Sequence, residues 1–200
     1  MSSNTPAPRR GVLVVISGPS GAGKTSICKA LLQRLPDAVW SVSVTTRNPR
    51  VGEKSGESYE FASREEFARR EAAGDFLECA EYVGNRYGTP RRPVEKALAG
   101  GKAIILEIDV QGCMQVGKRM PDSVRIFVMP PNRESLRARL EGRNTEAEDQ
   151  LRKRLAEADG EIAIARDSGC YRYFVVNDIL EDTVARVLEI IEQERGRYAG

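Results

Sequence analysis

Apolar residues gather in short β-branched runs that alternate with stretches of helical spacing. The first run, Gly11-Val-Leu-Val-Val-Ile16, is bounded by glycines and reads as a buried parallel strand. A glycine-rich turn follows, and Lys24–Leu35 then carries Ile27, Leu31 and Leu32 at helical spacing, stopped before Pro36. Ala103–Leu106, Val124–Val128 (ahead of Pro130-Pro131) and Tyr173–Val176 repeat the strand pattern. Each leads into a helical stretch: Gly112–Met120, Arg133–Leu140 and Leu180–Glu194. The last sets Leu180, Val184, Val187, Leu188 and Ile191 on one stripe. Strand alternating with helix predicts an α/β fold, a doubly wound parallel sheet with helices on both faces.

Two segments interrupt this rhythm. Ala38–Arg92 holds turn residues, short strands and one helix opened by the capping box Ser63-x-x-Glu66, and reads as a small α+β insert. Glu141–Glu161 is highly charged, with its own capping box at Thr145-x-x-Glu148. It is either a solvated face or an arm whose arginines act only on closing. The lead-in Met1–Pro8 has no hydrophobic h-region, which predicts a short disordered tail and no secretory signal. The longest apolar run, Val12–Ile16, is far short of the ~20 residues that span a bilayer, so no membrane partner is expected.

A chain of 200 residues fits one or at most two domains. With no histidine, the sequence excludes Ser/His/Asp and Cys/His triads, His-based zinc sites and any His general base. Chemistry must then run on carboxylates, cations, backbone N–H groups or a hard metal ion. Cys28, Cys79, Cys113 and Cys170 lie far apart with no Cys-x-x-Cys pair, which predicts reduced thiols and a cytoplasmic setting. A net charge of +2 makes no case for nucleic-acid binding. Only seven of the 31 cations are lysines. That arginine surplus follows from genome composition or from bidentate grips on phosphate.

Between the first strand and first helix stands Gly18-Pro19-Ser20-Gly21-Ala22-Gly23-Lys24-Thr25, which fits G-x-x-x-x-G-K-[ST]. Its glycines let successive backbone N–H groups converge on one anion, and the following helix adds its positive end. Lys24 brings a point charge to β- and γ-phosphates, and Thr25 brings a hydroxyl ligand for Mg²⁺. The strand-turn-helix setting predicts a nucleoside triphosphate site over Gly18 to Ser26.

Further motifs specify the class: Ser41-Val-Ser43-Val-Thr45-Thr46-Arg47-Asn-Pro49-Arg50-x-Gly52-Glu53, then Gly56-x-x-Tyr59-x-Phe61 and Phe76-Leu-Glu78. Gly84-Asn85-Arg86-Tyr87-Gly88-Thr89 and Leu106-Glu107-Ile108-Asp109-Val110-Gln111-Gly112 complete the set. With the phosphate loop, these residues resemble the guanylate kinase family from about Gly11 to the final helix. The resemblance implies a P-loop NTPase-type core, a small α+β GMP-binding insert and a helical lid. On that reading the domain covers 10–197, with core 10–37, 93–140 and 162–197, insert 38–92 and lid 141–161. It implies Mg-dependent, reversible phosphoryl transfer from ATP to GMP, dGMP also being expected as acceptor. A homo-oligomer is left open.

Arg47 and Arg50, three apart on a turn, suit two guanidinium grips on one phosphate, and Tyr59 and Tyr87 suit hydroxyl donors. The family positions matching all four bind the GMP phosphate. A carboxylate at Glu78, on an apolar stretch, can accept from guanine N1–H and the exocyclic amine, which adenine lacks. Ser43 and Thr89 match base-contacting hydroxyls. Glu107 and Asp109 match groups near GMP and the Mg²⁺ water shell, Asp109 acting through water. Arg139, Arg143 and Arg154 match lid arginines that reach the triphosphate, and Asn177 matches a position near the ATP base. Two other readings fit part of this pattern. A non-catalytic guanylate-kinase-like protein-binding module would be expected to carry a degraded loop, and a P-loop kinase for another small acceptor could share Glu78 and the arginines.

Overall fold

A computed structural model describes residues 11–82, 84–141 and 148–197. In chain order the elements are β1 Val12–Ser17, α1 Lys24–Arg34, β2 Ala38–Trp40, β3 Val44–Thr45, β4 Glu60–Phe61 and α2 Arg64–Ala72. There follow β5 Phe76–Tyr82, β6 Asn85–Pro90, α3 Arg91–Ala99, β7 Ala103–Glu107, α4 Val110–Arg119 and β8 Val124–Met129. The chain closes with α5 Arg133–Glu141, α6 Glu148–Asp167, β9 Tyr173–Val176 and α7 Leu180–Arg197.

Because strand side chains alternate, β1 feeds two cores. Val12, Val14 and Ile16 pack with Ile27 and Leu31 of α1 and Val184, Val187 and Ile191 of α7. Leu13 and Val15 pack on the other face with Val94 of α3, Cys113 and Val116 of α4, and Ala165 of α6. Each Val, Leu or Ile among them contributes roughly 1.5–3 kcal/mol by leaving water. Both faces of the sheet are therefore covered, as the unbroken apolar run of β1 requires. The parallel order is β2-β7-β1-β8-β9, with Ile16 paired to Glu107 and Ser17 to Phe127. That register brings the ends of β1 and β7 level beside the glycine-rich turn.

Two expected boundaries move. The insert was expected to begin at residue 38, yet Ala38–Trp40 pairs in parallel with Ala103–Ile105 as the edge of the main sheet. Three residues are too short a run to show periodicity, so the core has five strands where the sequence displayed four. The lid was expected to end at residue 161, yet α6 runs unbroken to Asp167. Its Leu151, Leu155 and Ala158 pack on Leu136 and Leu140 of α5, while Ala165 joins the sheet-facing core. One continuous helix thus runs across the expected boundary. The expected tail 1–9, Arg143 and Thr145 lie outside the described residues.

The second sheet has order β4-β3-β6-β5 and a core of Val44, Phe67 and Phe76, the two rings stacked at 4.6 Å. Ser63 caps α2, its hydroxyl accepting from the Glu66 N–H at 3.1 Å, as its capping box predicts. Gln115 of α4 fastens this unit to the main body by donating to the Cys79 carbonyl (2.7 Å) and accepting from its N–H (3.2 Å).

The phosphate loop depends on backbone that only glycine supplies. Gly18 has φ +147°, and a Cβ there would lie 2.3 Å from the Val128 carbonyl oxygen, in rigid sheet. Gly18→Ala is therefore expected to cost at least ~3 kcal/mol, read as a fall in the urea midpoint at constant slope. A loss under ~1 kcal/mol would show that β1 and β8 can separate there.

Candidate active site

The turn after β1 closes with the Ala22 N–H donating to the Pro19 carbonyl at 3.1 Å, and Gly21 and Gly23 take φ of +85° and +93°. Lys24, the first residue of α1, folds back and donates to the Gly18 (2.6 Å) and Pro19 (3.1 Å) carbonyls. Burial lowers its pKa, while Glu107, Glu161 and Asp109 oppose that shift. The ammonium is thus stored inside its own loop, short of the negative charge its burial calls for. Thr25 and Ser26 stay exposed at the same helix end, and the Thr25 hydroxyl donates to the Glu107 carboxylate at 2.8 Å.

Lid and core side chains brace this loop. Arg154 of α6 donates to the Ser20 hydroxyl at 2.9 Å. Arg139 of α5 donates to the Asn177 carbonyl at 2.9 Å, and its Nη1 is buried without a hydrogen-bond partner. Asn177, expected near the ATP base, directs its amide at the loop and donates to the Ala22 carbonyl at 2.8 Å. A Cβ on Gly23 would meet that amide at 2.3 Å, so Asn177 packs against the loop backbone.

The residues expected on the acceptor side gather in and around the small sheet. Arg47 lies 5.3 Å from the Tyr59 ring centre, and the Tyr59 and Tyr87 rings meet edge to face at 5.9 Å. Tyr87 also acts electrostatically on the Arg47 guanidinium. Arg50 stands exposed on the turn, and Ser43 is half-buried just before β3. Antiparallel pairing sets Glu78 of β5 opposite Thr89 of β6. Glu78 is 3% exposed and accepts the Thr89 hydroxyl at 2.6 Å. Burial pushes its pKa up to about 7, against the pull of the Thr89 bond. A Cβ at Gly112 would come 2.6 Å from the Glu78 carboxylate, so the start of α4 walls this pocket. Asp109 caps that helix, accepting the Gly112 N–H at 2.7 Å. Glu107 joins the two halves: it accepts from Thr25 and acts electrostatically on Tyr59.

Three residues escaped the sequence reading. Glu53 grips Arg47 through two hydrogen bonds, at 2.9 and 3.0 Å. Arg119 donates to the Phe76 carbonyl (3.2 Å) and to the Leu77 carbonyl, holding β5 just before Glu78. Glu161 of α6 has a buried Oε2 without a hydrogen-bond partner, and burial pushes its pKa up to about 7 while Lys24 pulls it down. Its place three residues after Ala158 and four before Ala165, both buried, was a readable signal for a carboxylate on the apolar stripe.

Among the described residues no group of three His, Cys, Asp or Glu side chains is placed to hold a metal. Thr25, Glu107 and Asp109 are nonetheless oxygen donors beside the loop. A small donor set suits Mg²⁺, which keeps several waters and is bound through one or two carboxylates plus substrate phosphates.

The guanylate kinase family model matches residues 10–194. Guanylate kinase from Clostridium perfringens (strain SM101) is 50% identical over 188 residues, covering 94% of this chain and 86% of its own length. Guanylate kinase from Rubrobacter xylanophilus is 49% identical over 185 residues, 92% of this chain and 95% of its own. The crystal structure of guanylate kinase from Anaplasma phagocytophilum superposes with TM-score 0.76 at 37% identity, covering 94% and 87% of the two chains.

Proposed function

The chain belongs to the guanylate kinase family and is a nucleoside monophosphate kinase, and from that premise we propose how its residues move the γ-phosphoryl group of ATP to GMP. The main-chain N–H groups of Gly18–Thr25 and the start of α1 hold the β- and γ-phosphates. Lys24 exchanges its two loop carbonyls for phosphate oxygens. Arg47, Arg50, Tyr59 and Tyr87 hold the acceptor phosphate, and Glu78, Thr89 and Ser43 hold guanine. An anionic oxygen of that phosphate attacks the γ-phosphorus as the bond to the ADP oxygen breaks. The nucleophile carries no proton, so no base is required, consistent with a chain lacking histidine. Arg139 and Arg154, with Arg143 by resemblance, neutralise charge on the migrating group, and closure of insert and lid keeps water out.

Thr25, Glu107 and Asp109 would hold Mg²⁺, Asp109 through water, and the ion would supply charge neutralisation at the triphosphate. We also propose dGMP as an acceptor, a cytoplasmic setting, and a division into core, GMP insert and lid, the insert beginning after Trp40. No helix among the described residues is long and apolar enough to cross a membrane. The non-catalytic alternative is not favoured, since Lys24 and Thr25 are intact on a built loop.

The observation that carries this reading is the buried Glu78–Thr89 pair set against the start of α4, which follows the strand whose Glu107 accepts from Thr25 of the phosphate loop. Arg50→Ala tests the acceptor side. Loss of one charge-assisted grip on phosphate is worth roughly 10–100-fold. KM for GMP should therefore rise by that factor in initial-rate assays, with KM for ATP within twofold. An unchanged GMP dependence would place the acceptor phosphate elsewhere.

A further inference from the structure

Glu53 carries no role in the transfer described above, yet one carboxylate there engages both acceptor arginines. Its Oε1 accepts from Arg47 Nη2 at 2.9 Å and its Oε2 from Arg47 Nη1 at 3.0 Å. The same Oε2 accepts the main-chain N–H of Arg50 at 2.8 Å. Local backbone makes this possible. The Glu53 N–H donates to the Arg50 carbonyl at 3.1 Å, and Gly52 between them takes φ +87°, so the chain doubles back on itself.

The hydrogen-bond inventory of Arg47 shows what this contact leaves free. A guanidinium has five N–H groups in a fixed plane. The end-on pair, one from each Nη, goes to Glu53. The outer Nη1–H goes to the Asn48 carbonyl at 2.7 Å. The Nε–H and outer Nη2–H remain, a second parallel fork suited to a phosphate. The Tyr59 and Phe61 rings, 5.3 and 5.9 Å from the guanidinium carbon, limit its sideways movement. Glu53 limits the remaining freedom, rotation about the long side chain.

We propose that Glu53 is a positioning residue for the acceptor: it locks the Arg47 guanidinium so that its free edge faces the phosphate, and fixes the Arg50 backbone so that both cations converge on one anion. This rests on the acceptor assignment above and adds its orienting group. Glu53 itself touches no reacting atom, because a carboxylate facing the phosphate would repel it.

The test compares GMP with guanosine, which lacks the phosphate, by calorimetric titration of wild-type, Glu53→Gln and Glu53→Ala proteins, with initial rates alongside. Freed arginines lose preorganisation, so GMP binding should weaken about 3–10-fold for Glu53→Gln and 10–30-fold for Glu53→Ala. Guanosine affinity and KM for ATP should stay within twofold, with kcat at saturating GMP within about threefold. Combining Glu53→Ala with Arg47→Ala should add little to Arg47→Ala alone, since the two act as a unit.

Tighter GMP binding in Glu53→Ala would overturn the proposal, since the carboxylate would then be a competitor of the phosphate. Equal weakening of GMP and guanosine would overturn it too, by showing damage to the whole insert. Unchanged GMP binding in both variants would do the same. If wild-type protein binds GMP no better than guanosine, the acceptor assignment itself fails, a result separate from any Glu53 effect.

Discussion

Lys24→Met should lower kcat by about 10³-fold with ATP and GMP both saturating, because a fixed cation aimed at developing phosphate charge contributes on that scale. The fold should survive. Burial already depresses the Lys24 pKa below its ordinary 10.5, so the ammonium is held at a cost that carboxylates relieve only in part. An apolar side chain of similar length removes that cost, and the melting temperature should stay within about 3 °C of wild type. Turnover within tenfold of wild type would mean that the loop amides suffice. A collapse in melting temperature would mean that the bonds to Gly18 and Pro19 are structural first.

Glu78→Gln has the second large effect, and it separates function from stability. Guanine needs an acceptor pair that adenine cannot use. An uncompensated buried polar group costs enough to set discrimination. The ratio of kcat/KM for GMP to that for AMP should fall about 10²–10³-fold. Undiminished selectivity would move base recognition to Ser43 and Thr89.

The pH dependence follows from the raised Glu78 pKa, about 7 against an ordinary 4.5. With guanine held by the ionised carboxylate, as proposed, KM for GMP should fall as pH rises from 6 to 8. That component should vanish in Glu78→Gln, while titration of the GMP phosphate itself is common to both proteins and cancels. Stability runs the other way. Between 4.5 and 7 the folded chain holds a proton that the unfolded chain releases, so stability declines across that window as pH rises. Above pH 7 the charge is buried at full cost, and Glu78→Gln should gain on the order of 2–3 kcal/mol in denaturant titrations at pH 8. A variant less stable than wild type at pH 8 would show that the bond to Thr89 outweighs desolvation.

Fold and site were not equally legible in the chain. The phosphate loop was readable because its glycines, lysine and threonine sit at a spacing that few other structures need. The structure also supplies the physical reason for Gly18, whose Cβ would strike the Val128 carbonyl. Glu78 was readable as a charge among apolar neighbours, and its burial beside Thr89 follows from the β5–β6 register. Trp40 lies in a strand too short to display alternation, so the fifth strand of the sheet went unseen. The far end of α6 was hidden because the highly charged stretch Glu141–Glu161 reads as a unit of its own. Ala158, Ile162 and Ala165 nevertheless keep helical spacing across its end.

The side-chain partners within the site were the least legible. A glutamate in a polar turn reads as solvated, and nothing in the spacing of Glu53 shows that it folds back onto Arg47 and Arg50. The resemblance alone places Asn177 near the ATP base, and nothing in the spacing shows that its amide also donates to the Ala22 carbonyl. In both cases the bond depends on a close approach between segments, and a linear pattern carries no record of that. The lid arginines divide the same way: Arg154 reaches the Ser20 hydroxyl across 134 positions of chain, while Arg143 lies outside the described residues.

Initial rates of ADP formation, measured over a grid of ATP and monophosphate concentrations with Mg²⁺ present, test direct handover between the two anion sites. With GMP the reciprocal plots should intersect, as transfer within one ternary complex demands, and AMP, CMP and UMP should each support less than about 1% of that rate. Parallel lines, or ADP release from ATP that is indifferent to GMP, would contradict it.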